Sequence, residues 1–289
     1  MFQKMNRFFF PAFLVLAMMQ IAQTGLAYGE ESASSQWILM PESRHSLYRT
    51  YTLLYDEQTS LLVRDGGSAI GIIGGYFTVL EATGLPGHPQ LSLHGTAASY
   101  FAFPTGSGPL LTQAVDARVG LALDFEIDPS NRASLIWTHQ SGHLGDDVVN
   151  PGLASKNLGN EILTFRFIHD IEDTARLGAS FRPNVSADPT MLVFGAEQFA
   201  EWFPWHAAKN PHSMAPFVGF SMEEYGHSSL DLSTNVMIGL ASGNHLQGTK
   251  HPSLRVVMGY YSGTDLRLKF YEFDKTLMKF AYGGIQVDI

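Results

Sequence analysis

From about residue 68 onward, apolar and polar positions alternate along this chain with a period of two. In Val115–Ile127 every odd position is apolar, while the even positions carry Asp116, Arg118, Asp124, Glu126 or a small residue. A helix cannot gather such a pattern onto one stripe, so the segment reads as strand. Ala175, Leu177, Ala179 and Phe181 alternate in the same way with Arg176, Gly178, Ser180 and Arg182. The rule recurs in Leu91–Phe103, Leu230–Leu240, Ser253–Tyr261 and Leu277–Ile289. Turn signals separate the runs, at Asp128-Pro129-Ser130-Asn131, Glu172-Asp173, Gly226-His227 and Ser262-Gly263.

Strands of about 9–15 residues exceed the roughly 5–6 usual in soluble sheets and match the tilted spans of a membrane barrel. Charge lies on one face of nearly every run, which the interior of a sandwich would not accept. In a membrane barrel the apolar face meets lipid and the polar face lines the lumen. The pattern therefore predicts an all-β fold, a transmembrane antiparallel β-barrel of outer-membrane type. About eleven strands are visible from Ser68, and an even count requires one more within Leu47–Val63, giving about 12.

The start of the chain bears on location. Lys4 and Arg7 precede an apolar run from Phe8 to Ile21, and small residues Gly25 and Ala27 mark a cleavage site, the anatomy of a signal peptide over residues 1–27. That run is shorter than the roughly 20 residues of a membrane-spanning helix, and no later apolar run is longer. Residues 28–45 are polar and irregular and read as a periplasmic lead-in to a barrel over 46–289. The expected location is the outer membrane, reached through a cleaved signal, with outer-membrane lipids, lipopolysaccharide and the assembly machinery as partners. Cleavage would remove two basic residues and no acid, taking the net charge from −9 to −11. Nucleic acid is thus excluded as a partner. The chain has no cysteine, so neither a disulfide nor a thiolate site is available.

The predicted lumen is narrow and charged. Asp116, Asp124, Glu126 and Asp231 face Arg118, Arg166, Arg176, Arg182 and Arg255 across it, and such charges should pair and fill the space rather than leave a pore. The aromatic segment Phe199–His206 reads as an interfacial girdle.

The densest chemistry lies in Trp137–Asp147, where His139, Ser141, His143, Asp146 and Asp147 fall within nine residues. Strand parity puts this stretch at the outer end of the strand Asn131–His143, running into a long loop that ends near Gly159. His139, Ser141 and His143 share one face while the strand stays regular. Along a strand His139 and His143 stand about 13 Å apart, too far to hold one zinc ion without a bend, so no metal and no cofactor is expected. His139 and Ser141 are about 7 Å apart at Cα, within reach for a base and a nucleophile, with Glu161, Asn160 or Asp146 as a third member.

His-x-Ser on a strand resembles outer-membrane phospholipase A and lipid A 3-O-deacylase, which implies a serine acyl hydrolase acting on membrane lipid. More broadly, His139-Gln140-Ser141-Gly142-His143-Leu144-Gly145-Asp146 resembles the His-x-Ser-x-His-Leu-Gly-Asp signature of the domain-of-unknown-function 1207 family of bacterial outer-membrane proteins. Arg255–Gly263 with the final strand is similar to that family's closing pattern. The resemblance implies location and architecture, not an activity.

Which way the cluster faces separates the readings. An even-length turn at Asp128–Asn131 would set Ser141 opposite Arg118 and turn the group into the lumen, where hydrocarbon does not oppose His143 and the aspartates. On that expectation His139, Ser141, His143, Gly145, Asp146, Asp147 and Arg118 form a polar latch that orders the outer loop, and the protein is no enzyme. The alternatives are a lipid acyl hydrolase using His139, Ser141 and Glu161, for which Ala133, Leu135 and Trp137 argue by pointing this face at lipid, and a small-solute transporter or channel.

Overall fold

A computed structural model describes residues 36–40, 54, 58–85, 87–103, 110–145, 158–172, 174–183, 194–204, 214–226, 230–242, 253–267, 270 and 277–288. Thirteen strands are present: β1 (Gln36–Leu39), β2 (Thr59–Arg64), β3 (Ser68–Thr83), β4 (Gln90–Ala102), β5 (Leu111–Asp128), β6 (Asn131–Leu144), β7 (Leu158–Ile171), β8 (Ala175–Pro183), β9 (Phe194–Trp202), β10 (Met214–Gly226), β11 (Leu230–Ser242), β12 (Ser253–Thr264) and β13 (Leu277–Asp288). Each of β2 to β13 pairs antiparallel with its neighbour in sequence, and β13 pairs with β2, so twelve strands close a barrel. The twelfth strand required by parity is β2, in the stretch that was expected to hold it. β1 lies outside the closure, paired with the far end of β3, inside the segment expected to be irregular. The signal-peptide region lies outside the described residues.

Period-two alternation translates directly into faces. In β12, Leu254, Val256, Met258 and Tyr260 are exposed while Ser253, Arg255, Val257 and Tyr261 are buried. The exposed set forms an apolar outer wall, and the buried set fills the lumen. The turn at 129–130, with Glu172 and Thr174, shares one end of the barrel with Asp288, the turn end. The opposite, loop end carries Gly145 and, beyond β12, Asp265, Leu266 and Arg267.

The lumen is filled, as its charges suggested, though by other partners. Arg132 of β6 and Arg176 of β8 both pair with Asp170 of β7, the latter through Nε at 2.8 Å. Arg166 and Arg182 converge on Glu197 of β9. Asp124 instead accepts hydrogen bonds from Tyr76 at 2.8 Å and Ser92 at 3.1 Å. Around the rest of the wall Leu62, Ile70, Tyr100, Phe217, Met237 and Phe280 form one apolar cluster, interleaved with buried polar groups such as Arg255, Asn235 and Gln286. Leu54, ahead of β2, is buried in that cluster, and Gln58 accepts a hydrogen bond from Arg255 at 2.9 Å. At the loop end Leu266 enters the same cluster, its carbonyl accepting from Tyr100, and Arg267 reaches Gln113 of β5 at 3.1 Å.

Two local expectations are corrected. Ser262-Gly263 is no turn but lies within β12, because Gly263 is there for close approach: a Cβ on it would stand 2.3 Å from the Ser233 side chain. Phe199 and Phe203 are buried in the lumen and only Trp202 points out, so the aromatic stretch is half girdle and half core, alternating as a strand must. Trp205 and His206 lie outside the described residues.

Candidate functional site

β6 and β7 build the candidate site at the loop end. In β6 the buried positions are the even ones, from Arg132 to Gly142, and the odd ones point outward. His139, Ser141 and His143 therefore stand on the outer wall in line with Ala133, Leu135 and Trp137. The three thus face outward and not into the lumen as expected, and the cause is a single irregularity. Asp128 pairs with Asn131 across the turn, but a bulge at Ile127 makes Glu126 pair with Arg132, and Ser141 then meets Ala117 while Gln140 meets Arg118. Without it Ser141 would oppose Arg118, as the even turn implied. One extra residue in β5 exchanges the two faces for the whole pairing above it.

The bulge also splits the expected cluster. Arg118 sits on the inner side of the sheet with Gln140, and Asn160 of β7 is inward too, only 1% exposed. Gly145 lies at the loop root, where its amide donates to Gln113 O at 2.9 Å and a Cβ would stand 2.0 Å from Thr112 O. Asp146 and Asp147 lie outside the described residues.

Three of the expected residues do come together on the outer wall. His139 pairs in register with Glu161 of β7, and its Nδ1–H donates to Glu161 Oε1 at 2.8 Å. Both side chains are accessible, at 43% and 30%. Held at Nδ1, the ring leaves Nε2 for another partner. Ser141 follows two residues on, on the same face, and makes no hydrogen bond to His139 in this structure. It lies between Ala117 of β5 and Gly159 of β7, both small, so the wall has a notch at the hydroxyl. A Cβ at Gly159 would reach to 3.9 Å of His139 Cε1.

Around this notch the wall is apolar. Val119, opposite His139, is 56% exposed, and Trp137, Leu163 and Phe165 continue the apolar surface toward the turn end. His139 stands eight residues above Asn131, roughly 26 Å along the strand and so, at a tilt of about 45°, roughly 18 Å of height toward the loop end.

The sequence named His139, Ser141 and Glu161 but not Ala117, Gly159 and Val119, which give the group its opening and its apolar flank. Their role follows from cross-strand register, which only the bulge determines. Among the described residues, no three His, Asp or Glu side chains converge as a metal site would require. No protein-family model matches the chain, and no curated protein matches it.

Proposed function

We propose that this chain spans the outer membrane and that His139, Ser141 and Glu161 cleave acyl esters of membrane lipid. The observation that carries the reading is the His139–Glu161 hydrogen bond on the lipid-facing wall, with Ser141 in the notch beside it. Ser141 Oγ would attack the ester carbonyl while its proton passes to His139 Nε2, and Glu161 would hold Nδ1–H and stabilise the imidazolium. The proton then leaves with the lipid alcohol, and water releases the fatty acid from Ser141 by the same steps. Val119 and Phe165 give an acyl chain an apolar surface to lie along. The His-x-Ser resemblance to outer-membrane acyl hydrolases supports the chemistry, and the resemblance to the domain-of-unknown-function 1207 family supports the location alone.

A second reading is that the stretch orders the outer loop without turnover, favoured by the locked Gly145 at the loop root. The channel alternative is opposed by ion pairs and aromatic packing across the lumen.

The deciding experiment is fatty-acid release from phospholipid and from lipopolysaccharide in mixed micelles. Wild type should release fatty acid and Ser141→Ala should lose at least a thousandfold in rate, with unchanged heat-modifiable migration. If wild type releases none, and His143→Ala accelerates protease cutting within 146–157, the loop-ordering reading replaces the enzyme.

A further inference from the structure

The lumen holds a small cavity against β10, β11 and β12 that neither the candidate site nor the ion pairs use. Ser221 and Glu223 of β10 stand in register with Asn235 and Ser233 of β11, and Tyr261 of β12 pairs with Asn235. Together with Leu54 they line the cavity, which has room for a single water-sized occupant. Glu223 is 8% exposed and the other four polar residues 5% or less. Every polar side chain in the lining presents an oxygen, and only Glu223 carries a charge.

Glu223 differs from the buried carboxylates elsewhere. Asp170, Glu197, Glu201 and Asp265 each face a guanidinium, and Asp124 is held by the hydroxyls of Tyr76 and Ser92. Glu197 is the in-register neighbour of Glu223 on β9, and Arg166 and Arg182 both reach Glu197. Among the described residues no hydrogen bond and no ion pair reaches the Glu223 carboxylate. A carboxylate withdrawn from water is costly until a cation or a set of donors answers it. The oxygens beside it are already positioned by the barrel. Ser233 Oγ accepts the Thr264 amide at 2.9 Å, and Asn235 Oδ1 accepts the Tyr282 hydroxyl at 2.9 Å. The Tyr261 hydroxyl gives its one proton to Thr264 O at 2.8 Å, so its own oxygen, like Asn235 Oδ1, keeps a lone pair for a further partner.

We infer that this cavity binds one monovalent metal cation of the size of sodium, with the Glu223 carboxylate as its anionic ligand and Asn235 Oδ1 and the Tyr261 oxygen as neutral ones. An all-oxygen lining suits a hard cation. One carboxylate balances one positive charge, whereas a divalent ion would leave a buried charge uncompensated. The converging His, Asp or Glu ligands of a transition-metal centre are absent among the described residues, and a monovalent ion does not call for them. Where β6 to β9 answer buried acids with arginine, this side of the lumen takes its cation from solvent.

Urea unfolding of the refolded barrel in an uncharged detergent tests it, with sodium chloride set against N-methylglucamine chloride, whose cation is too large for the cavity, at equal ionic strength. Sodium should raise the wild-type midpoint, the folding constant growing as 1 + [Na+]/Kd and so roughly tenfold once sodium is about nine times Kd. Glu223→Gln, of the same shape but neutral, should erase the difference between the salts, while Glu224→Gln, on the opposite face of the same strand, should retain it. Sodium NMR line broadening by folded wild type reads binding directly and should be lost in Glu223→Gln, with heat-modifiable migration checking that the variant folds. Equal wild-type midpoints in the two salts, the result expected of water alone in the cavity, would overturn the inference without recourse to any variant. An undiminished sodium effect in Glu223→Gln, or a midpoint that rises with calcium and not with sodium, would overturn it as well.

Discussion

The two sides of the lumen are filled by different means. Along β6 to β9 it is ionic: Asp170 serves both Arg132 and Arg176, and Glu197 serves both Arg166 and Arg182, all of them buried but Arg182, which is part-exposed. Along β2 to β4 and β10 to β13 Leu62, Tyr100, Phe217, Met237 and Phe280 pack together, with Leu54 and Leu266 reaching in from outside the strands, and the polar groups buried among them, such as Arg255 on Gln58 and Tyr282 on Asn235, are joined by hydrogen bonds. The apolar side spreads its stabilisation over many weak contacts. The ionic side concentrates it in shared carboxylates, so the same number of atoms removed should do more damage there.

The strongest test of that contrast is Asp170→Ala. It leaves two guanidiniums buried with one carboxylate partner fewer each, and loss of one member of a buried ion pair typically costs about 3–5 kcal/mol. The urea midpoint of refolded barrel in detergent should fall accordingly, at the upper end of that range because Asp170 is shared. A fall no larger than that for an exposed carboxylate would remove the distinction between the two sides.

Its counterpart on the apolar side is Leu62→Ala. Leu62 is fully buried, and truncation should cost roughly 2–4 kcal/mol for lost transfer free energy and the cavity left behind. Flexible neighbours such as Met237 should relax into part of that cavity and hold the loss below that of Asp170→Ala. If Leu62→Ala proved the more damaging of the two, the apolar side would be the more tightly specified one.

The same contrast marks how far the sequence could be read. Alternation alone located the strands, because a side-chain period of two is imposed by the backbone whatever surrounds it. It also implied a charged lumen, and the pairing partners Arg132, Asp170, Glu197 and Glu201 stand at the inward parity that rule assigns, though alternation does not say which acid meets which base. That needs register, and register failed at one place. The bulge at Ile127 has no Gly or Pro to announce it, yet it decides that His139, Ser141 and Glu161 share the outer wall while Arg118 and Asn160 look inward. The apolar run Ala133, Leu135, Trp137 carried the correct answer, since outward neighbours of one strand keep one environment. The cost of histidine in hydrocarbon argued the other way, and on the outer wall His139 has a polar partner in Glu161 at 2.8 Å. Ser262-Gly263 failed for a related reason: a glycine needed for contact across strands carries the same letter as a glycine needed for a turn.

The smallest expected effect lies at the turn that sets this register. Asp128 Oδ1 accepts from the amides of Ser130 at 2.8 Å and Asn131 at 2.9 Å, and Oδ2 from Asn131 Nδ2 at 2.7 Å. Asn131 Oδ1 in turn receives His169 Nδ1–H at 2.9 Å, tying the turn to β7. The Asn131 side-chain bond, followed by the Ser130 amide, holds the Asp128 carboxyl below its ordinary value. A depressed folded-state value stabilises the barrel above the unfolded carboxyl value, about 3.9, and that contribution is lost as pH falls through the folded value. Asp128→Asn keeps one carbonyl acceptor without the charge, so its stability should decline less steeply than wild type below about pH 4. The measurement is the difference between the two urea midpoints as a function of pH. The gap should be widest near neutrality, narrow as the carboxyl protonates, and stay well below the effects of the two lumen variants, since an exposed turn is open to water and salt. Parallel profiles would mean that the turn's hydrogen bonds do not depend on the charge, and that the bulge at Ile127 is held by strand pairing alone.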